Sequence, residues 1–260
     1  KSFKKYWPGT HVVGKDILRF HAVYWPAFLM AADLEPPKHI FAHGWWTNSG
    51  EKISKSLGNV IDPYEIVSEY GLDQIRFFLF REVPFGNDGD FSKEAVFKRI
   101  NSDLANNFGN LIQRVLSFVI KNCNSIVDPL STKNQADKEL IDFSNKKFLN
   151  YRNYMDNFRI DRGLKEIFEL LSETNTYIDN QAPWNLKKND IQTMKNVISI
   201  SVEMIRRSTI LLYPIMPNSC EKIFSILNLD TNNFNLNLYE DYKKISYKIN
   251  NPTKIFPRIE

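Results

Sequence analysis

Apolar residues in the second part of the chain recur at three- and four-residue intervals. Phe97, Ile100, Leu104, Phe108, Leu111, Val115 and Val119 mark one face of a helix of about seven turns, with Ser92 placed to cap its start. Leu140 to Phe158 repeats the pattern. Leu164, Ile167, Phe168, Leu171 and Ile178 mark a third helix, closed by Pro183. Ile191 to Tyr213 makes a fourth, closed by Pro214, and Pro217 to Leu227 a short fifth. Between residues 92 and 228 the only glycines are Gly109 and Gly163, as an α-helix bundle requires. Residues 229–260 are polar, asparagine-rich and weakly periodic, which predicts either an extended strap over the surface or a partly mobile tail.

The first ninety residues show a different pattern: short apolar runs punctuated by glycine. Thr10–Val13 predicts a strand, Gly14 a turn, Asp16–Leu29 a helix broken by Pro36-Pro37, and His39–His43 a second buried strand. Asn48-Ser49-Gly50 predicts a turn. Asp62-Pro63-Tyr64-Glu65 opens a helix, with Asp62 as cap and proline at the first helical position, and Gly71 ends it. Asp73 opens another helix through Ile75, Phe77, Phe78, Leu79 and Phe80, and Pro84–Asp90 reads as loop.

Strand, turn, helix, strand is the βαβ signature of a doubly wound sheet. Only one such unit is visible and the chain starts at Lys1, so an N-terminal portion of a longer protein is expected upstream. The expected class is α/β followed by all-α. Residues 1–91 form part of a Rossmann-type domain, 92–228 the helix bundle, and 229–260 a C-terminal extension.

Composition adds exclusions. Hydrophobic residues make up 43% and charged residues 25%, which is ordinary for a globular protein. The net charge of +4 permits a polyanionic partner and falls far short of a DNA-coating protein. Cys123 and Cys220 stand alone, without a Cys-x-x-Cys spacing. Neither a disulfide framework nor zinc is supported, and both read as buried thiols on helices. No apolar run reaches membrane-spanning length and no signal-peptide core is present. The expected setting is reduced and cytoplasmic, with neither membrane nor DNA as partner.

The sharpest chemical signal is Lys52-Ile53-Ser54-Lys55-Ser56-Leu57-Gly58-Asn59. Two lysines three apart on a serine- and glycine-containing loop suit a polyphosphate, although an arbitrary loop of this composition is more often merely solvated. Gly14-Lys15-Asp16 follows a strand at the edge where nucleotides bind in such sheets. Asp16 is placed there either to hold ribose hydroxyls or simply to cap the helix. Ile17, His21 and Trp25 share one helix face, as core or as pocket wall. On the bundle, Asn107, Asn110 and Arg114 make a polar stripe, by itself an ordinary solvated face. Trp184, following Pro183, is either an exposed stacking platform or a plug at a helix end.

The lysine loop resembles the KMSKS signature of class I aminoacyl-tRNA synthetases, with Ile53 in place of methionine. The string Gly14 to His21, followed by Tyr24-Trp25-Pro26-Ala27-Phe28-Leu29, resembles the methionyl-tRNA synthetases in particular. Asn110-Leu111-Ile112-Gln113-Arg114, Ala182-Pro183-Trp184 and the terminal Ile255 to Glu260 are similar to other parts of that family. The class I His-Ile-Gly-His element is absent from these residues.

The resemblance implies a methionine–tRNA ligase, with KMSKS loop, stem-contact region and anticodon-binding bundle. It would use ATP with Mg2+, methionine and tRNA(Met). It assigns Lys52 and Lys55 to the triphosphate with Ser54 and Ser56, and Gly14 and Asp16 to the ribose. Ile17 and His21 go to methionine, and Asn110, Arg114 and Trp184 to the anticodon. These 260 residues alone are expected not to form methionyl-adenylate. Two alternatives stand beside this reading: a non-catalytic tRNA-binding module, or an isoleucyl, valyl or leucyl enzyme of the same class.

Overall fold

The computed structural model describes residues 3–232, 234–241 and 245–259, with the Lys55 side chain outside the description. After α1 (Phe3–Tyr6), β1 (Thr10–Gly14) pairs in parallel with β2 (His39–His43), Val12 opposite Phe41 and Gly14 opposite His43. Their connection is a tight turn at Lys15–Ile17, a widened helical stretch at Phe20–Tyr24, and α2 (Trp25–Ala31). The expected βαβ unit is therefore present. Asp16 does not cap the helix, however: Gly14 holds the cap position, and no side chain caps the turn.

A second sheet follows. β3 (Trp46–Asn48) turns back on β4 (Glu51–Lys52), and β5 (Gly89–Phe91) joins β3 in parallel. Residues 84–90 were expected to be loop throughout, yet Gly89 and Asp90 lie in this strand. A glycine makes the crossing possible: a Cβ on Gly44 would lie 2.1 Å from the Asn87 carbonyl oxygen. Between these strands, α3 (Pro63–Tyr70) starts with the Asp62 carboxylate accepting from the Tyr64 amide, as expected. Gly71, at φ 92°, ends α3 and leads directly into α4 (Leu72–Arg81).

The first bundle helix is not uniform. α5 (Lys93–Arg99), capped by Ser92, widens over Ile100–Gly109 before α6 (Asn110–Asn122). β6 (Ile126–Val127) leads to α7 (Gln135–Asp156), which begins five residues before Leu140 at an Asn134–Asp137 capping box. α8 (Ile160–Gln181) ends at Ala182 in the left-handed conformation, φ 42°. Pro183 both stops α8 and occupies the first position of α9 (Pro183–Asn189). α10 (Ile191–Leu212) and α11 (Pro217–Ile226) complete the helices, and β7 (Tyr247–Lys248) pairs back on β6.

α10 is the buried centre, covered from Met194 to Leu212 on nearly every side. Its buried charges satisfy one another, as burial of ions requires. Glu203 accepts from Arg206 and from Arg207, and Arg207 donates onward to Ser144 and Asn145. The same arginines fasten the C-terminal segment. Arg206 donates to the carbonyls of Leu238 and Tyr239, while the fully buried Tyr239 stacks 4.1 Å from Phe148 and bonds Ser144. The described part of 229–260 is thus a strap.

Two junctions seat the first part of the chain on the bundle. Arg76 donates to the carbonyls of Pro214 and Ile215, groups left over where α10 ends, and Asp73 accepts from the Ser219 amide at the start of α11. Phe41 of β2 stacks on Phe85 and on Phe158 of the α7–α8 turn. Among the described residues no helix is long and apolar enough to cross a membrane.

Candidate functional site

The carboxyl ends of β1 and β2 lie side by side, which places Gly14 next to His43. Gly14 is extended (φ −65°, ψ 146°), so its glycine identity is not set by a turn. A Cβ here would sit 2.6 Å from Asp16 Oδ1, and the absence of a side chain is what lets the carboxylate fold back over the strand end. That oxygen accepts from the indole N–H of Trp45, 3.3 Å away.

Trp45 also organises the surrounding charges. Lys15 lies 4.3 Å from the ring centroid and Lys52 5.0 Å, so two ammonium groups share one indole. Lys15 is held in addition by Asp88, at 2.6 and 2.7 Å, and Asp88 accepts from the Trp45 amide. The bond from Lys15, then that from the Trp45 amide, lowers the Asp88 pKa below the usual carboxylate range. The expected Gly14, Asp16 and Lys52, which come from two different sheets, are therefore brought together by a tryptophan that the residue pattern did not single out.

The lysine loop is held at both ends. Asn59 accepts from the Ser54 amide (2.8 Å) and donates to the Lys52 carbonyl (3.1 Å), while Asn48 donates to the Asn59 carbonyl. Asp90 binds the Thr47 hydroxyl and the Gly50 amide, and those two bonds, in that order, lower its pKa. Ser54 and Ser56 pair their hydroxyls at 2.7 Å, and Gly58 takes φ 64°. The loop is thus a folded arch. The Lys55 backbone is part of it, and its side chain lies outside the described residues.

Beside β1 is an apolar cleft of about 470 Å³ lined by His11, Phe20, His21, Tyr24, Trp25 and Phe28. His21 Nδ1 donates to the Ile17 carbonyl (3.0 Å), which leaves Nε2 of the neutral ring as an acceptor. His21 packs edge-on against His11, and His11 lies tilted against Trp7. The widened turn at Phe20–Tyr24 alters the helix face expected for Ile17, His21 and Trp25. Wider turns bring Phe20 and Tyr24 into the wall, and Ile17 is not among the lining residues.

A second cluster occupies the surface of α6 and α8. Arg114 is 39% exposed. It donates through Nη1 to Asp179 and through Nη2 to Asn175, both at 2.7 Å. Asn175 donates to Asn107, and Asn107 to Ser172. Asn110 is exposed at the start of α6. Trp184, on the first turn of α9, is 41% exposed and is not part of the buried core, so it does not plug the helix end. Asp179 is on the last turn of α8, which brings the cluster and Trp184 to the same end of that helix. Asn175 and Asp179 carried no sequence signal, since their partner lies more than sixty residues away.

Comparison with known proteins finds family matches over both parts of the chain. A family profile described as class I tRNA synthetases (M) matches residues 1–116, and the anticodon-binding domain of methionyl-tRNA ligase matches 129–260. A methionine–tRNA ligase of Rickettsia conorii is 47% identical over 266 aligned residues, covering 100% of this chain and 52% of the relative. One from Mesorhizobium japonicum is 44% identical, covering 98% and 50%. The Mycobacterium tuberculosis methionyl-tRNA synthetase solved with methionyl-adenylate superposes with a TM-score of 0.94 at 41% identity, covering 98% of this chain and 51% of that one. The chain spans about half the length of the relatives it matches.

Proposed function

The chain belongs to the methionyl-tRNA ligase family of class I synthetases, and we propose that it carries two parts of that machinery: the lysine-loop side of the adenylation site and the reader of the tRNA(Met) anticodon. Residues 1–91 serve the first role and the bundle of 92–228 the second, with 229–260 as its strap. In the complete reaction, the methionine carboxylate attacks the α-phosphorus of ATP, which enters with Mg2+, to give methionyl-adenylate and pyrophosphate, and the methionyl group then passes to tRNA in the cytoplasm with AMP as the leaving group. Gly14 and Asp16 receive the ribose. Lys52, Ser54, Lys55 and Ser56 receive the triphosphate and meet the charge that grows on departing pyrophosphate. That contribution is electrostatic, and proton transfer has little part in it. His21 and the aromatic cleft receive the methionine side chain, whose unbranched thioether suits such walls. Ile17 serves through its carbonyl, which sets the His21 tautomer.

The observation that carries the reading is on the bundle. A guanidinium forked between two acceptors on an exposed surface, with a half-exposed tryptophan at the same helix end, supplies hydrogen bonds and a stacking plane. Unpaired bases are read by that combination. The test is titration of the chain with an anticodon stem-loop RNA bearing CAU and with one whose loop is scrambled. Tighter binding of CAU is expected, and equal affinities overturn the proposal. The 260 residues supply only one side of the phosphate site, so methionine-dependent ATP–pyrophosphate exchange by them stays at background. A non-catalytic tRNA-binding module, with the lysine loop as a relic, is the weaker reading, because binding alone has no use for Asp16 and Lys52 gathered on Trp45.

A further inference from the structure

We propose that Asn175 is a positioning residue for base reading: it fixes the plane in which Arg114 offers its guanidinium. The inference rests on the anticodon reading above and adds to it a residue that makes no contact with RNA.

A guanidinium paired with a single exposed carboxylate swings easily, and such pairs hold little. Asp179 is 58% exposed and by itself gives Arg114 one point of attachment. Asn175 gives a second, one helical turn earlier on α8 and to the other terminal nitrogen. Two acceptors on two nitrogens define the plane of the fork. Of the five guanidinium N–H donors two are then used, and three are left for a ligand.

The amide of Asn175 cannot flip to release this hold. Its NH2 donates to the Leu171 carbonyl (3.1 Å) and to Asn107 Oδ1 (3.0 Å), and a backbone carbonyl only accepts. Its oxygen must therefore face Arg114, which only donates. Asn107 passes the direction on to Ser172, whose hydroxyl donates to the Phe168 carbonyl. Every bond from Arg114 to Phe168 runs one way, so the orientation of the reader is anchored in the backbone of α8. Asn175 is half-buried beneath it.

The test uses this chain with the CAU and scrambled stem-loops, measuring both affinities and the melting temperature. Asn175→Ala is expected to lower the CAU preference about tenfold, the worth of one hydrogen bond to a charged group. Its affinity for the scrambled loop should change less than twofold, with melting nearly unaltered. Asn175→Asp keeps the size and an acceptor but loses the donors to Leu171 and Asn107. It should lower the preference as well, whatever uniform weakening its added charge brings. In an Arg114→Ala background, Asn175→Ala should have no further effect on preference. If Arg114→Ala removes the preference while both Asn175 variants retain it, the positioning role is wrong and the anticodon reading stands. If Arg114→Ala itself leaves the preference intact, the role of Arg114 in that reading fails first. Equal weakening of both loops with a lowered melting temperature marks Asn175 as structural and overturns the inference.

Discussion

Replacing Asn59 by alanine should loosen the lysine loop without destabilising the protein. The side chain makes two bonds to the main chain of the arch, accepting from the Ser54 amide and donating to the Lys52 carbonyl. Each such bond contributes about 0.5–1.5 kcal/mol net, so the arch loses roughly 1–3 kcal/mol against local opening. That corresponds to about a 5- to 150-fold rise in the open population. Amide hydrogen exchange reads this directly: protection at Ser54 should fall by that factor in the variant, while amides of α8 and α10 keep theirs. The melting temperature should barely move, because Lys52, Ser56, Leu57 and Gly58 are all exposed and the loop adds nothing to the buried core. Unchanged exchange at Ser54 would refute the view that Asn59 shapes the arch. Loss of protection throughout the bundle would refute its local character.

Two further perturbations test other parts of the structure. Carbon-13 titration of Asp88 should show a midpoint below the usual carboxylate range, restored upward by Lys15→Met. The folded-state pKa is depressed, so the pairing is intact above the ordinary carboxylate value and is lost as pH falls through the lowered one; an ordinary midpoint in the unmodified chain contradicts the pair. Tyr239→Ala should remove about 3–5 kcal/mol by emptying a fully buried aromatic site, lowering the melting temperature by roughly 6–20 °C. Tyr239→Phe should lose less, roughly 1–3 kcal/mol for its two hydrogen bonds to Ser144, and equally small shifts in both would contradict the strap.

What the residue pattern could and could not convey follows from the range of the interactions involved. Asp62, Pro63, Gly71 and Ser92 act within four residues of themselves, and the boundaries they predict are where the helices start and stop. The lysine loop is legible for the same reason, and the parallel pair because strand, turn, helix and strand follow in that order along the chain. The widened turns at Phe20–Tyr24 and Ile100–Gly109 are not, since an apolar period read over two or three turns does not separate ordinary from wide winding. That is why the helix-face pattern gives no sign of Phe20 and Tyr24 as cleft walls. The Asn134–Asp137 box starts α7 before any apolar repeat, and an aspartate stands in it where glutamate or glutamine is usual. Glu203, Arg206 and Arg207 look like a solvated helix face and are buried, because their partners come from α7 and the strap. Trp45 and Asn175 have the same property: each matters through residues distant in sequence, and single-chain periodicity carries no record of such partners.

The central claim is that the bundle reads unpaired bases, and Trp184→Ala tests it most directly. Stacking of a base on an aromatic ring is worth roughly 1–3 kcal/mol, so the variant should bind the CAU stem-loop about 5- to 150-fold more weakly. It should also lose most of the preference for CAU over a scrambled loop. A substitution of a surface lysine such as Lys187 should weaken both loops about equally and change mainly the salt dependence. Because Trp184 is 41% exposed and outside the core, circular dichroism melts of the variant should stay within a few degrees of the parent. A lowered melting temperature with the CAU preference intact would contradict the account.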